Sequence, residues 1–141
     1  MRICLIDTGP LVAYLDRADP MHHSVAEILD GLSAQLATTG AVITEAMHLL
    51  AGAPDGPQLL AEFVQAADLR IFESTRREQI RRAVALMGKY SDTPMDFADA
   101  TLVLLAEEMG TLEMLTLDRR GFSTYRTAKG KRFNLVLDAG G

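Results

Sequence analysis

The chain has a single cysteine, Cys4, which rules out an internal disulfide and with it the small stapled folds of secreted proteins. No stretch approaches the roughly 18 uninterrupted apolar residues that a membrane helix needs. A signal peptide is not indicated, because the first apolar run, Ile3 to Ile6, ends at Asp7, well short of the roughly 7–15 residues of an h-region. Together these absences make the cytoplasm the expected location. Common catalytic signatures are missing too: there is no G-x-S-x-G, no P-loop and no H-E-x-x-H. His22, His23 and His48 lack metal-site spacing and read as structural or solvent-facing. Positive charge is also in short supply. A net charge of −5 argues against simple charge-driven nucleic-acid binding, though not against a nuclease whose acidic groups are neutralised by divalent ions.

What remains is an ordinary globular composition. At 141 residues and 48% apolar content the chain suffices for one domain with a real core, and no repeat, low-complexity tract or linker divides residues 1–141. The run from Arg2 to Ile6 reads as a buried strand, turning at Asp7-Thr8-Gly9-Pro10 into a helix that Thr8 caps. Asp19-Pro20 reads as the N-cap and first residue of a second helix with Val25, Ile28, Leu29 and Leu32 as its stripe. A short strand at Leu36-Ala37 precedes a helix reaching about Ala51. The segment from Gly52 to Pro57 is the clearest loop, followed by a helix from Gln58 to about Ala67. A strand near Leu69 to Phe72 and a helix from about Thr75 to Gly88 come next. Ser91-Asp92-Thr93-Pro94 is expected to open a helix that runs to Met109 and stops at Gly110. Glu113 to Leu117 is strand-like and delivers Asp118, and Phe133 to Leu137 offers a last strand. Strands alternating with helices predict an α/β domain with a mainly parallel sheet.

Five carboxylates stand out. Asp7 and Asp118 follow apparent strands, and ligands of open parallel sheets bind beyond the carboxyl ends of strands. A lone aspartate there is usually a turn or cap residue; two together raise the functional reading. Glu45 lies in Ala41 to Leu50, with Val42 and Leu49 on its side of a helix whose polar face is nearly absent. Two readings stand for it, a buried ion pair with an arginine or a metal ligand. Asp96 and Asp99 are three residues apart, where like charges repel unless a cation lies between them, the plainer reading being helix capping. Oxygen-only ligands select hard cations, Mg²⁺ or Mn²⁺, and paired ions of this kind are a common device for phosphodiester cleavage.

At this point a family becomes visible. Ile3-Cys4-Leu5-Ile6-Asp7-Thr8, Thr44-Glu45-Ala46, Asp96-Phe97-Ala98-Asp99-Ala100 and Thr116-Leu117-Asp118-Arg119-Arg120-Gly121-Phe122 resemble the PIN-domain signature. More narrowly, they resemble the single-domain toxins of VapBC-type toxin–antitoxin pairs, over nearly the whole chain. The resemblance implies a parallel sheet of about five strands flanked by helices, with a Mg²⁺-dependent endoribonuclease site above it. It assigns Asp7, Glu45, Asp99 and Asp118 as catalytic metal-binding carboxylates, with Asp96 as an additional ligand and Thr8 and Thr116 as supporting hydroxyls. It also implies a homodimer, a small cognate antitoxin as partner, and an RNA substrate, often tRNA. Arg119 and Arg120, directly after Asp118, are the favoured phosphate contacts beside a plain surface role. The alternative is a catalytically inactive PIN-like module that binds RNA or protein. Two basic clusters, Arg76, Arg77, Arg81 and Arg82, then Arg126, Lys129, Lys131 and Arg132, read first as solvated faces and second as phosphate-binding surface.

Overall fold

A continuous apolar strand with no polar alternation is buried on both faces, and the sheet is built around such a strand. The computed structural model describes residues 2–139. In it β1 (Ile3–Ile6), β2 (Gln35–Thr39), β3 (Arg70–Phe72), β4 (Glu113–Leu115) and β5 (Asn134–Leu135) form one five-stranded sheet in the order β3-β2-β1-β4-β5. Every pairing is parallel, and Leu5 at the centre registers with Ala37 on one side and Met114 on the other. The α/β architecture with a parallel central sheet is therefore as the sequence predicts.

The helices are α1 (Thr8–Leu15), α2 (His22–Asp30), α3 (Gly40–Leu50), α4 (Gly56–Ala66), α5 (Arg77–Lys89), α6 (Phe97–Met109), α7 (Arg119–Thr124) and α8 (Val136–Ala139). Helix α6 is the central one. It buries Ala98, Ala100, Thr101, Leu102, Val103, Leu105 and Ala106, so nearly its whole circumference is apolar, and it packs against α5, α3 and β2. Gly110 ends it with φ +69°, a left-handed conformation that costs glycine little. Gly56 is required for a different reason. A Cβ there would lie 1.9 Å from the Leu50 carbonyl oxygen, so α4 begins against the end of α3 only because no side chain intervenes. No helix among the described residues is long and apolar enough to cross a membrane.

Several boundaries differ from expectation, each for a local reason. Asp7, not Thr8, caps α1, its Oδ1 accepting the Thr8 N–H at 2.8 Å. Asp19-Pro20 forms a turn before α2 instead of starting it: Asp19 Oδ1 accepts the Met21 N–H, and Met21 is the N-cap. The loop from Gly52 is shorter than read, since Pro57 falls inside the first turn of α4, where its missing N–H costs nothing. Pro94 does not open α6. The helix starts three residues later, at Phe97, because Asp96 is extended and its side chain caps the helix. Finally, β4 stops at Leu115, so Asp118 stands beyond the strand and caps α7, a helix the sequence did not suggest.

Candidate active site

The chain lays β2 and β3 on one side of β1, then returns to place β4 and β5 on the other. The direction of winding thus reverses between β1 and β4, where diverging loops leave a crevice at the carboxyl ends of the strands. Asp7 follows β1 and Thr116 follows β4 at this point. Thr116 Oγ1 donates to Asp7 Oδ2 at 2.8 Å and accepts the Asp118 N–H at 3.0 Å. One buried hydroxyl therefore fixes two of the candidate carboxylates relative to each other.

Asp96 and Asp99 arrive from the start of α6 in a reciprocal capping box. Asp96 Oδ1 accepts the Asp99 N–H at 2.8 Å, and Asp99 Oδ2 accepts the Asp96 N–H at 3.1 Å. Capping and clustering are thus the same arrangement viewed locally and globally. Glu45 comes from α3, whose start is fixed by Thr39, the N-cap. Thr39 Oγ1 accepts the Val42 N–H at 3.4 Å and meets Thr101 Oγ1 at 2.8 Å, tying α3 to α6 in the core. Glu45 itself is half-buried. The expectation of a helix without a polar face is corrected here, since Thr44 and His48 are exposed and Leu49 is 54% exposed. Nor does Glu45 join any ion pair among the described residues, which removes the buried arginine pair as its explanation.

The electrostatics show that these acids feel one another. Burial pushes the Asp7 carboxyl up to about 6, the Thr116 hydroxyl and Thr8 N–H restraining the rise while the charges of Asp96 and Glu45 add to it. Asp99 is raised to about 8, first by burial and then by the charges of Asp7 and Asp96. Clusters of acids that resist ionisation are typical of functional sites awaiting a positive charge. The donor set is all oxygen, which fits Mg²⁺ or Mn²⁺. One further atom fits: Thr8 Oγ1 is buried next to Asp7 and has no hydrogen-bond partner, an orphaned polar group that a metal-bound water would satisfy. Among the described residues no three His, Cys, Asp or Glu side chains close on a single point as they stand. Asp96, Asp99 and Asp118 are each turned to a backbone N–H, and a carboxylate has lone pairs to spare for a second partner.

Sequence reading assigned no role to Tyr125 or the Pro94 carbonyl, and named Gly121 only as part of the motif around Asp118. Tyr125 is fully buried, its ring meeting Tyr90 and Phe122 edge-to-face at 5.1 Å. Its hydroxyl donates to the Pro94 carbonyl at 2.7 Å and holds the segment leading to Asp96. Burial and then the charges of Asp99, Asp118, Asp96 and Asp7 push the phenol well above its ordinary range, so it stays a donor. Gly121 lies under Asp118, whose Oδ1 accepts the Gly121 N–H at 3.0 Å; a Cβ there would fall 2.3 Å from Asp118 Oδ2. A lone tyrosine carries no spacing signal, so only the fold reveals Tyr125, and the fold gives the physical reason for the glycine in the motif. Arg119 and Arg120 are exposed on the first turn of α7. An open groove of about 740 Å³ leads away from Glu45 and Asp96 past His48 and Ser74, whose buried Oγ also lacks a partner.

Comparison with known proteins decides the family. The chain is 34% identical over 135 residues to Ribonuclease VapC26 of Mycobacterium tuberculosis, covering 94% of this chain and 98% of that protein. It belongs to the VapC ribonuclease family. No family model matches the sequence. Among solved structures, the fold resembles M. tuberculosis VapC20, a sarcin-ricin-loop-cleaving toxin, with a TM-score of 0.74 and 18% identity, covering 83% of this chain and 90% of that one. It also resembles a toxin–antitoxin complex from Klebsiella pneumoniae, with a TM-score of 0.59 and 20% identity over 86% of this chain and 91% of that one. The VapC sheet and its carboxyl-end crevice are therefore the frame on which Asp7, Thr116 and Asp118 sit.

Proposed function

We propose that this VapC-family chain is a Mg²⁺-dependent endoribonuclease, the toxin of a type II toxin–antitoxin pair, with Mn²⁺ a possible substitute ion. The observation that carries the reading is the gathering of Asp7, Asp96, Asp99 and Asp118 at the strand-order reversal, with two of these carboxyls driven up toward neutrality. Asp7, Asp99 and Asp118 are the inner ligands, while Glu45 and Asp96 stand at the mouth of the groove. When bound, the divalent ion supplies a water of lowered pKa and stabilises charge on the phosphate. The protein's own contribution is positional. Thr116 orients Asp7 and Asp118, the capping box at the start of α6 holds Asp99 and Asp96, and the groove beside Glu45 receives the RNA strand.

As partners we propose a small cognate antitoxin and a second copy of this chain as a homodimer, with the cytoplasm as the location. The similarity to a protein solved within a toxin–antitoxin complex supports the first of these. A tRNA pool is the substrate class to test first. Purified antitoxin-free protein should cleave total tRNA in millimolar Mg²⁺, and both EDTA and Asp7→Ala should abolish cleavage. Equal cleavage by wild type and Asp7→Ala would refute the assigned site. No cleavage of any RNA by wild type, with no metal-induced rise in melting temperature, would favour the inactive binding module instead.

A further inference from the structure

The two basic clusters, some fifty residues apart in sequence, have different fates. On α5, Arg81 pairs with Glu78 at 2.5 Å and is spent locally. Arg82 points the other way, to Glu107 Oε2 at 3.3 Å. Glu107 Oε1 in turn accepts the Ala128 N–H at 2.6 Å, so a single carboxylate on α6 joins α5 to the segment carrying the second cluster. That segment is a turn closed by an antiparallel bridge between Arg126 and Arg132, with Gly130 at φ +77° and Thr127 accepting from Gly130 and Lys131. A second tie lies nearer the active site. The Arg126 N–H donates to Tyr90 Oη at 2.9 Å, and Lys89 stands over the Tyr90 ring at 5.4 Å.

The result is a seam in which Lys129, Lys131 and Arg132 of the turn border Lys89 of α5, with Arg82 joined to the turn through its pair with Glu107. Among the described residues no acidic side chain pairs with Lys129, Lys131 or Arg132, and all three are exposed. Placing Arg126 opposite Arg132 is unfavourable between strands, and it is tolerated here because the Arg126 guanidinium turns back onto the carbonyls of Ser123, Thr124 and Tyr125. The seam is rooted at the acidic crevice. Arg126 follows Tyr125, which holds Pro94, two residues before Asp96.

We propose that this seam is a phosphate-binding surface that carries the RNA backbone away from the scissile position, an exosite beyond the carboxylates. The inference rests on the ribonuclease reading above. Its chemistry favours a polyanion over a protein partner. Protein interfaces need apolar anchors at their centre. Of the exposed large apolar side chains, Met21, Leu49, Ile71, Ile80 and Val84, none lies on the turn, and Ile80 and Val84 sit on the opposite side of α5 from Arg82 and Lys89. In a chain of net charge −5 with an acidic crevice, nearby unpaired cations are the natural source of attraction for RNA.

The test separates binding from cleavage. Total tRNA binding is followed by fluorescence anisotropy in EDTA across a salt series, using Asp7→Asn as the parent. Lys129→Gln/Lys131→Gln/Arg132→Gln is compared with Arg2→Gln/Arg17→Gln/Arg70→Gln, which removes the same charge before β1, after α1 and on the edge strand β3. Each lost phosphate contact flattens the log K against log salt slope by about 0.7–0.9, so the seam variant should bind on the order of 10²-fold more weakly near 0.1 M salt. The control variant should stay within about threefold of the parent. Equal losses in both variants would show diffuse charge rather than a site, and an unchanged seam variant would assign the surface to some other partner; either overturns the proposal. A parent that binds no tRNA also overturns it, while the cleavage assay judges the nuclease independently.

Discussion

Asp7→Asn is expected to stabilise the metal-free protein while destroying its function. Asp7 is 7% exposed, and its carboxyl titrates at about 6 in the fold against an ordinary 3.8. The sign follows from linkage. A raised carboxyl pKa means that the native state holds its proton more tightly than the unfolded chain. That stabilisation is fully present below pH 3.8 and is lost as pH rises through about 6, leaving an ionised, poorly solvated Asp7 above it. A shift of about two pH units corresponds to roughly 3 kcal/mol, which we discount to about 2 for the amide's imperfect replacement of the hydrogen bonds from Thr116 and Thr8. For a chain of this size that is a rise in melting temperature of about 4–8 °C at pH 7.5 in EDTA. The assay is differential scanning calorimetry of wild type and variant at pH 4.0, 6.0 and 7.5, with and without 10 mM Mg²⁺. The advantage of the variant should shrink toward pH 4, and Mg²⁺ should lift the wild type more than the variant, because the ion rewards the charge that Asn lacks. A variant less stable than wild type at pH 7.5 in EDTA would refute the reasoning, since Asp7 would then be a net stabilising charge.

Further expectations concern the groups around the carboxylates. Thr116→Val removes the hydroxyl shared by Asp7 and the Asp118 N–H, and should raise the Mg²⁺ concentration for half-maximal cleavage roughly 10–100-fold. Gly121→Ala places a Cβ 2.3 Å from Asp118 Oδ2, so Asp118 must move; circular dichroism should still show a folded protein, about 1–3 kcal/mol less stable, while cleavage collapses. Tyr125→Phe keeps the ring contacts but releases the Pro94 carbonyl, costing about 1 kcal/mol in urea unfolding and lowering kcat more than it raises KM.

Sequence patterning made the sheet legible because β1 and β4 are short apolar runs ended by polar residues, a signal that survives without any tertiary information. The candidate carboxylates drew notice through their local settings. The end of β1 for Asp7 and the start of α6 for Asp96 and Asp99 hold in the structure, while Asp118 caps α7 and the helix of Glu45 has an exposed polar edge. Tertiary contacts set the rest. Pro94 reads locally as a helix opener, yet Tyr125, thirty-one residues away, takes its carbonyl while Met95 is buried beneath, so the helix waits for Asp96. Helix α7 is too short for periodicity, and β5 is two residues long, so neither leaves a trace in composition. The basic turn was visible as charge but not as a neighbour of α5, because the contacts of Glu107 and Tyr90 that join the two are made only in the folded chain.

The mutual capping of Asp96 and Asp99 has a consequence for the order in which the molecule is assembled. In domains whose metal ligands have no other task, the ion is part of the folding free energy, and chelation unravels the chain. Here each of the two acids already terminates the central helix by accepting the other's N–H, so the helix start is complete before any ion arrives. Under the proposed metal reading, folding and metal loading are then separate events. The chain is expected to fold in its metal-free form, and EDTA is expected to stop cleavage while circular dichroism still shows a folded protein.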